Sequence, residues 1–464
     1  MSQTQVEKVS PASSEVPANP IPNYYKWYML IFLWGAFFLN QGDRQLFNNV
    51  LGLIEKDLGY TPKELGLVVS IFTICYGIFV PIAGYVGDVI QKRLLVFLSL
   101  TVFSVGTLLT GLVPHSQTLL AWLPGGGILW MSVGTVGLVL LIIVRSVATG
   151  IGEAFYYPGA NSLIGMYHSQ TRATAMAIHQ TANYTGVVFG GTIAAWIATQ
   201  YGWRNAFWCF GVIGIVWAIV LYCSFRNDHR DFALLFADHN KANKPAATKV
   251  PLSKALGAIL SRPTFYLLSL AFGGMCFVNV GFLTWMPKYL TSQFGVSTTW
   301  AAFNATFYHH LLAYVSVFVA AGISDWLSTK VKSIRMQMEF IGLFFGTPFI
   351  YYMGASDNLL YVYVSLALFG LFRGVYDSNL FAAMFDVIEP QYRATASGIM
   401  LSVAFIIGSA SPYALAILAE RVNNNFGPGL SWLAVAYFVS AILVLIAILL
   451  FYRRDRAAAE RTNQ

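Results

Sequence analysis

Long apolar runs alternate with short polar joints along almost the whole chain, and each run has the length of a membrane crossing. A hydrocarbon layer about 30 Å thick needs about 20 apolar residues in a helix. Runs of that order fall at 27–54, 64–88, 93–113, 128–166, 172–200 and 203–225, and again at 264–292, 298–325, 335–354, 358–388, 393–419 and 427–452. The pattern predicts an all-α membrane protein with 12 transmembrane helices in two six-helix bundles. The fourth run is too long for one crossing, so 114–133 (PHSQTLLAWLPGGGILWMSV) is predicted to form an outer loop or re-entrant piece.

Polar segments set the remaining divisions. Residues 1–24 are polar and Pro/Ser-rich, with no apolar core before a small-residue cleavage site, and read as a disordered cytoplasmic tail. The N-terminal bundle is expected over 25–225, a cytoplasmic linker over 226–263, the C-terminal bundle over 264–452, and a cytoplasmic tail over 453–464.

Composition agrees with a membrane chain: 57% of residues are hydrophobic and only 10% charged, against about 25% charged in soluble domains. The excess of Lys and Arg lies in alternate joints, at Lys92 and Arg93, Arg172, the 226–263 linker, Lys330, Lys332, Arg335, Arg393 and the tail. By the positive-inside rule these joints and both termini are cytoplasmic. The net charge of +8 then belongs to topology and anionic lipid, and no nucleic-acid partner is needed to account for it. The four cysteines are scattered through apolar runs, without disulfide or metal-ligand spacing. GVVFGG (Gly186 to Gly191) lacks the Lys-Ser/Thr of a phosphate loop and reads as close helix packing. No cofactor and no metal is expected.

Charges inside the runs carry the candidate chemistry. Asp43, Arg44, Arg145 and Glu153 interrupt segments that are otherwise almost wholly apolar. Each ion at a helix centre costs about 2.5 to 3.5 kcal/mol, so it is expected to face a partner, a cavity or a pathway. Arg373 and Asp377 form an i, i+4 pair in the tenth run.

The halves repeat each other. RATA at Arg172 recurs at Arg393, opening the fifth run of each set, and AGYVGD ending at Asp88 answers AAGISD ending at Asp325. Matches at equivalent positions predict pseudo-symmetric bundles with a site at the midplane between them.

GYVGDVIQKR resembles the loop motif Gly-x-Leu-Ala-Asp-Arg-x-Gly-Arg-Arg/Lys of the major facilitator superfamily. Gly84, Asp88, Lys92 and Arg93 fit; Val89 stands where Arg is usual and Gln91 where Gly is usual. NQGDRQLF, RSVATGIGEAFYYPGANSLI, YGWRNAFWCFGVIG and FLTWMPKYL are similar to pieces of the anion:cation symporter group, which carries sugar acids and other organic anions, and next to the Spinster group. One spacing departs from that group: Arg145 precedes Glu153 by eight residues, not seven. On a straight helix this moves the two side chains from about 20° to about 80° apart. A bulge near Thr149 and Gly150 would restore their facing, and the sequence does not show whether one exists.

The resemblance implies proton coupling by Asp43 and Glu153 and anion binding by Arg44 and Arg145; Arg373, if it faces the cavity, is a third cation for the substrate, against the alternative that Asp377 compensates it and it has no substrate role. The competing reading is a static network, Asp43 to Arg145 and Glu153 to Arg44. Polar groups at helical spacing, His179, Gln180, Asn183 and Tyr184 on the fifth run with Asn304, Tyr308, His309 and His310 on the eighth, are further candidate ligands for a polyhydroxylated substrate, as are Tyr157 and Asn379, each against the alternative of a helix-to-helix hydrogen bond. Asp88, Lys92, Arg93 and Asp325 are candidate gating residues. A proton-coupled importer or exporter of a small organic anion, such as a hexuronate or aldonate, is the leading expectation; Spinster-like transport of a lysolipid is the second, and a transporter-fold sensor the third. No nucleophile with its base appears, so an enzyme is not expected. The expected setting is a monomer in a bacterial inner membrane, with protons, a small anion and lipid as its partners.

Overall fold

The computed structural model describes residues 23–114, 127–128, 131–168, 171–225 and 252–462. The N-terminal tail, most of 114–133 and most of the linker lie outside these residues. Nine described helices are long and apolar enough to cross a membrane. Three more complete the expected 12: Asn23–Leu58, which carries a polar stripe, the 172–201 helix, and Ile334–Ala355. The spans follow the expected runs within a few residues, and the only sheet among the described residues is the two-residue pairing of Gly127–Ile128 with Met131–Ser132.

Local chemistry sets several boundaries. Span 2 (Pro62–Val89) begins with a capping box: the Thr61 hydroxyl accepts from Glu64 N at 3.3 Å, and the Glu64 carboxylate accepts from Thr61 N at 2.8 Å. Span 7 (Pro263–Phe294) starts on Pro263 and stops at Gly295, whose φ of 64° terminates the helix. In both halves the arginine of RATA folds back on the preceding helix. Arg393 donates to Phe385 O at 2.8 Å and Ile388 O at 3.2 Å, and the Arg172 guanidinium lies against Gly165. The repeat therefore has a structural job: it satisfies or covers the end of the fourth span of each set.

The tail expected from 453 continues as helix, Tyr452–Thr462, and is docked on the C-terminal half. Asp455 accepts from Thr264 N at 2.9 Å, and the Tyr452 hydroxyl donates to Lys332 O at 2.7 Å. Span 10 is broken: Leu359–Asp377 and Leu380–Val387 are separated by Ser378 and Asn379.

Contacts between the halves lie at the middle of the spans and at the face away from the linker. Glu55 at the end of span 1 is ion-paired with Lys288 in span 7. Thr199 and Thr299 hydroxyls meet at 3.3 Å, Ser402 donates to Gly77 O at 3.2 Å, and Gly66 packs on Pro412 O. The two bundles are thus closed on each other at the far face, above a cavity at the midplane.

Candidate functional site

Span 1 presents Gln41, Arg44, Gln45 and Asn48 at steps of three, four and seven residues, one face of a helix. That face lines a cavity of about 450 Å³ between the halves. Opposite stand Arg373 and Asp377 of span 10 and Asn279 of span 7, with His309 and His310 of span 8; Gln180, Asn183 and Tyr184 of span 5 form another wall. Phe47, Phe72, Tyr76, Phe272 and Phe405 supply rings.

The four intramembrane charges of the N-terminal half form two ion pairs. Arg44 donates from Nε (2.9 Å) and Nη2 (2.7 Å) to the same Glu153 oxygen, Oε2. Glu153 Oε1 has no hydrogen-bond partner among the described residues. The Arg44 guanidinium also lies 4.4 Å from the Tyr76 ring centroid, a cation–π contact that orients it into the cavity. Arg145 binds Asp43 at two points, Nη1 to Oδ2 at 2.8 Å and Nη2 to the main-chain O at 3.0 Å. Thr107 donates its hydroxyl to Asp43 Oδ1 at 2.8 Å, so both carboxylate oxygens are held. Asp43 and Arg145 are 2% and 3% exposed at the side chain and Arg44 is 22%, so of the two arginines on the cavity wall Arg44 is the more accessible.

The extra residue between Arg145 and Glu153 is accommodated by a wide turn. Residues Ile142–Ala148 form a π-helical segment, and Thr149 N and Oγ1 both donate to Val144 O, five residues back. A bulge therefore exists, slightly upstream of Thr149 and Gly150, and Arg145 stands on the cavity wall. Gly106 of span 3 packs on that turn: a Cβ there would stand 2.5 Å from Thr149 Oγ1 and 2.9 Å from Val144 O.

In the C-terminal half Arg373 donates to Asp377 Oδ2 at 3.1 Å and also to Asn279 Oδ1, so this third arginine is held by an acid and an amide just above the break in span 10. His310 Nδ1 donates to Thr306 O at 2.8 Å, which leaves Nε2 as the acceptor nitrogen of the neutral ring. Gln180 Oε1 is buried without a partner among the described residues.

Several expected ligands do not reach this cavity. His179 is 1% exposed, stacks on Phe37 at 4.8 Å, and gives its Nε2 proton at 3.1 Å to the hydroxyl oxygen of Tyr156, which in turn donates to Leu33 O. It holds spans 1, 4 and 5 together. Tyr157 lies beside Phe37 and His179, outside the cavity wall. Tyr308 packs on Tyr363 at 5.0 Å, and Asn304 donates to the same Tyr363 hydroxyl, on the outer side of spans 8 and 10. Asn379 sits in the span 10 break, accepting from Ser324 at 2.5 Å and donating to Val375 O at 3.2 Å, so it satisfies backbone freed by the break. For His179 and Asn379 the helix-to-helix hydrogen bond describes the geometry, while Tyr157 and Tyr308 are packed by ring contacts.

Among the gating candidates, the Asp88 side chain is outside the described residues. Lys92 opens span 3. Arg93 donates to Tyr222 O and lies 4.1 Å from the Tyr222 ring, tying spans 3 and 6. Asp325 is 78% exposed and 3.7 Å from Arg335, which is held at 2.8 Å by Asp386. Sequence reasoning missed Glu55 and Lys288, which join the halves, and the Gln41, Gln45 and Asn48 stripe, which helical spacing on either side of Arg44 could have revealed.

The chain matches the family model described as Major Facilitator Superfamily over residues 33–412. It is 24% identical to a hexuronate transporter of Bacillus subtilis (strain 168), covering 90% of this chain and 93% of that one. It is 23% identical to a probable galactarate/D-glucarate transporter of Escherichia coli (strain K12), covering 96% and 97%, and 22% identical to spinster homolog 1 of Xenopus tropicalis, covering 94% and 83%. Among solved structures, an inward-facing, unoccupied bacterial homolog of the human lysosomal transporter Spinster aligns with TM-score 0.70 at 19% identity, over 94% of this chain and 97% of that one.

Proposed function

The chain belongs to the major facilitator superfamily and is a multi-pass membrane transporter, not an enzyme; from that premise we propose that it moves a small organic anion, a sugar acid such as a hexuronate or aldonate, together with protons. The observation that carries this reading is the placing of Arg44 and Arg373 on opposite halves of one cavity, each paired with a carboxylate. A guanidinium offers a planar two-point contact to a carboxylate. A substrate carboxylate that takes Arg44 displaces Glu153, and protonation of Glu153 releases Arg44 without leaving an unpaired buried acid. Binding of anion and proton then favour each other, which is the thermodynamic content of symport. The amides of Gln41, Gln45, Gln180, Asn183 and Asn279 match hydroxyl groups, and a volume of about 450 Å³ suits a small ligand.

Alternating access follows from two bundles hinged around a shared site, with the state in hand closed at the far face. The setting we propose is a bacterial inner membrane, with both termini and the linker cytoplasmic, and a monomer that engages no nucleic acid. One feature favours a lysolipid instead: an apolar groove of about 250 Å³ between spans 5 and 8 shares Tyr184 and His310 with the cavity. Three arginines and six amides in the wall weigh against an apolar cargo.

Uptake into proteoliposomes against a panel of hexuronates, aldonates, neutral sugars and lysophospholipids decides between them. Concentration of a sugar acid driven by an inward proton gradient is expected. Transport of a neutral sugar or a lysolipid equal to that of any acid would overturn the proposal.

A further inference from the structure

Glu339 lies in span 9, Ile334–Ala355, outside the cavity already described, and its surroundings are unusual for an acid. Its side chain is fully buried, and among the described residues neither Oε1 nor Oε2 has a hydrogen-bond donor. Glu339, Gly342 and Gly346 share one face of the span. A Cβ at Gly342 would stand 2.7 Å from Phe372 O and 3.0 Å from Tyr376 Cβ, and one at Gly346 would stand 2.9 Å from the Tyr437 ring. That face is therefore pressed onto Tyr376 of span 10 and Tyr437 of span 12. Both tyrosines are fully buried, and both hydroxyls lack a partner among the described residues.

The charged groups nearby do not neutralise Glu339. Asp386 is the one that acts on it, with the same sign, and its oxygens are taken by Arg335 at 2.8 Å and by the Tyr452 hydroxyl at 3.1 Å. Arg335 also faces Asp325. On the cavity side Tyr376 stands in the field of Glu339 and of Asp377, and Tyr437 in that of Arg373 and Asp377. An ionised carboxylate with neither donors nor a counter-charge is the costliest group a protein can bury, whereas a carboxylic acid in the same place forfeits one or two hydrogen bonds.

We propose that Glu339 is a second proton-binding carboxyl, in the C-terminal half, protonated in this far-face-closed state and exchanging its proton toward the Arg373–Asp377 end of the cavity past the Tyr376 hydroxyl. The proton leaves as the acid O–H bond breaks and a carboxylate or water at the cavity accepts it, with no other reactant. The proposal rests on the proton-coupled reading of transport, but its first test does not.

Infrared spectra of the full-length protein in lipid, wild type against Glu339→Gln, are expected to show a protonated-carboxyl band lost in the variant, at a pH where exposed acids are ionised. Persistence of every such band in the variant would overturn the proposal whatever the substrate is. The second test follows uptake. Glu339→Gln, which mimics the protonated acid, is expected to keep wild-type thermal stability and counterflow and to lose the pH dependence of concentrative uptake. A wild-type pH profile in that variant would remove Glu339 from the cycle. Glu339→Asp is expected to restore part of the pH dependence, an outcome that a purely packing role does not produce, and its failure to do so alongside an intact fold would count against the proposal. If no substrate on the panel is concentrated by protons, the coupling reading falls while the infrared result still stands or fails alone.

Discussion

Arg44 gives two of its N–H groups to a single oxygen of Glu153, leaving the other oxygen of that carboxylate without a partner among the described residues. Arg145 and Asp43, one residue earlier on span 1, have the opposite arrangement, with both carboxylate oxygens held. The two pairs are neighbours but unequal: one is open in its hydrogen bonding, at the buried Oε1, and the other is closed.

The open pair is where exchange is expected. Glu153→Gln preserves shape and cannot titrate, so concentration of substrate against a gradient should be lost while counterflow is retained. Uptake and counterflow measured in the same proteoliposomes check this, and full proton-driven accumulation by the variant would take Glu153 out of the coupling step.

The closed pair should show itself in stability. Arg145→Ala strands Asp43 beside the Thr107 hydroxyl without a counter-charge, a loss of about 3 to 5 kcal/mol for a buried pair broken on one side. Arg44→Ala should cost less, because its side chain is 22% exposed and water can approach. Melting temperatures in detergent should fall further for Arg145→Ala than for Arg44→Ala, and adding Asp43→Asn to Arg145→Ala should recover part of the loss. Equal losses would mean that the two pairs are equivalent.

Much of this was legible in the chain. The 12 spans, their division into two sets and the four intramembrane charges follow from run length and from the cost of an ion in hydrocarbon, and the two pairings are those of the static network set against coupling. What the chain hid was angular. Periodicity at 3.6 residues per turn shows that one residue is surplus between Arg145 and Glu153, but not that the hydrogen bonds of residues 142–149 widen to absorb it. The same limit applies to His179 and His310: both are histidines in polar stretches, and only the packing of Phe37 and Tyr156 turns the first inward while the second meets the cavity. Glu339 was hidden differently. It follows the basic turn at Lys330 to Arg335, where a charge reads as interfacial, and its burial comes from span 10 pressing on Gly342.

The wide turn makes a sharp expectation about length. Removing one residue from it, by deletion of Val147, leaves Arg145 and Glu153 seven apart, about 20° from alignment on a regular helix. The deletion should yield a monodisperse, folded protein that retains transport. Deletion of Leu100, fully buried in the regular helix of span 3, should not, because every later residue of that span rotates by about 100°. Aggregation of the Val147 variant with the Leu100 variant unharmed would refute the idea that the turn stores a surplus residue.

Span 10 approaches span 8 through Gly370, where a Cβ would stand 2.0 Å from His309 O. Because the obstacle is backbone, it cannot swing aside as a side chain would. Gly370→Ala should cost about 1 to 3 kcal/mol by overpacking and move His309 and His310 relative to Arg373, lowering substrate affinity as well. Gly322→Ala, on span 8 with open space around its Cβ, is the control and should change neither quantity.

At the far face the Glu55–Lys288 pair joins span 1 to span 7, with side chains 28% and 13% exposed. It is present in the closed arrangement and has to part when that face opens, so its contribution falls on one state of the cycle only, and removing it shifts the balance between states. Lys288→Ala should therefore raise the open fraction: a spin-label pair placed at Thr199 and Thr299, whose hydroxyls are 3.3 Å apart here, should show a larger population at long distance. The charge-swapped double variant, Glu55→Lys with Lys288→Glu, keeps the attraction and should return the distribution toward wild type, whereas either single swap places like charges together and should open the face furthest. Identical distance distributions in all five proteins, wild type included, would mean that the pair has no part in holding this face shut.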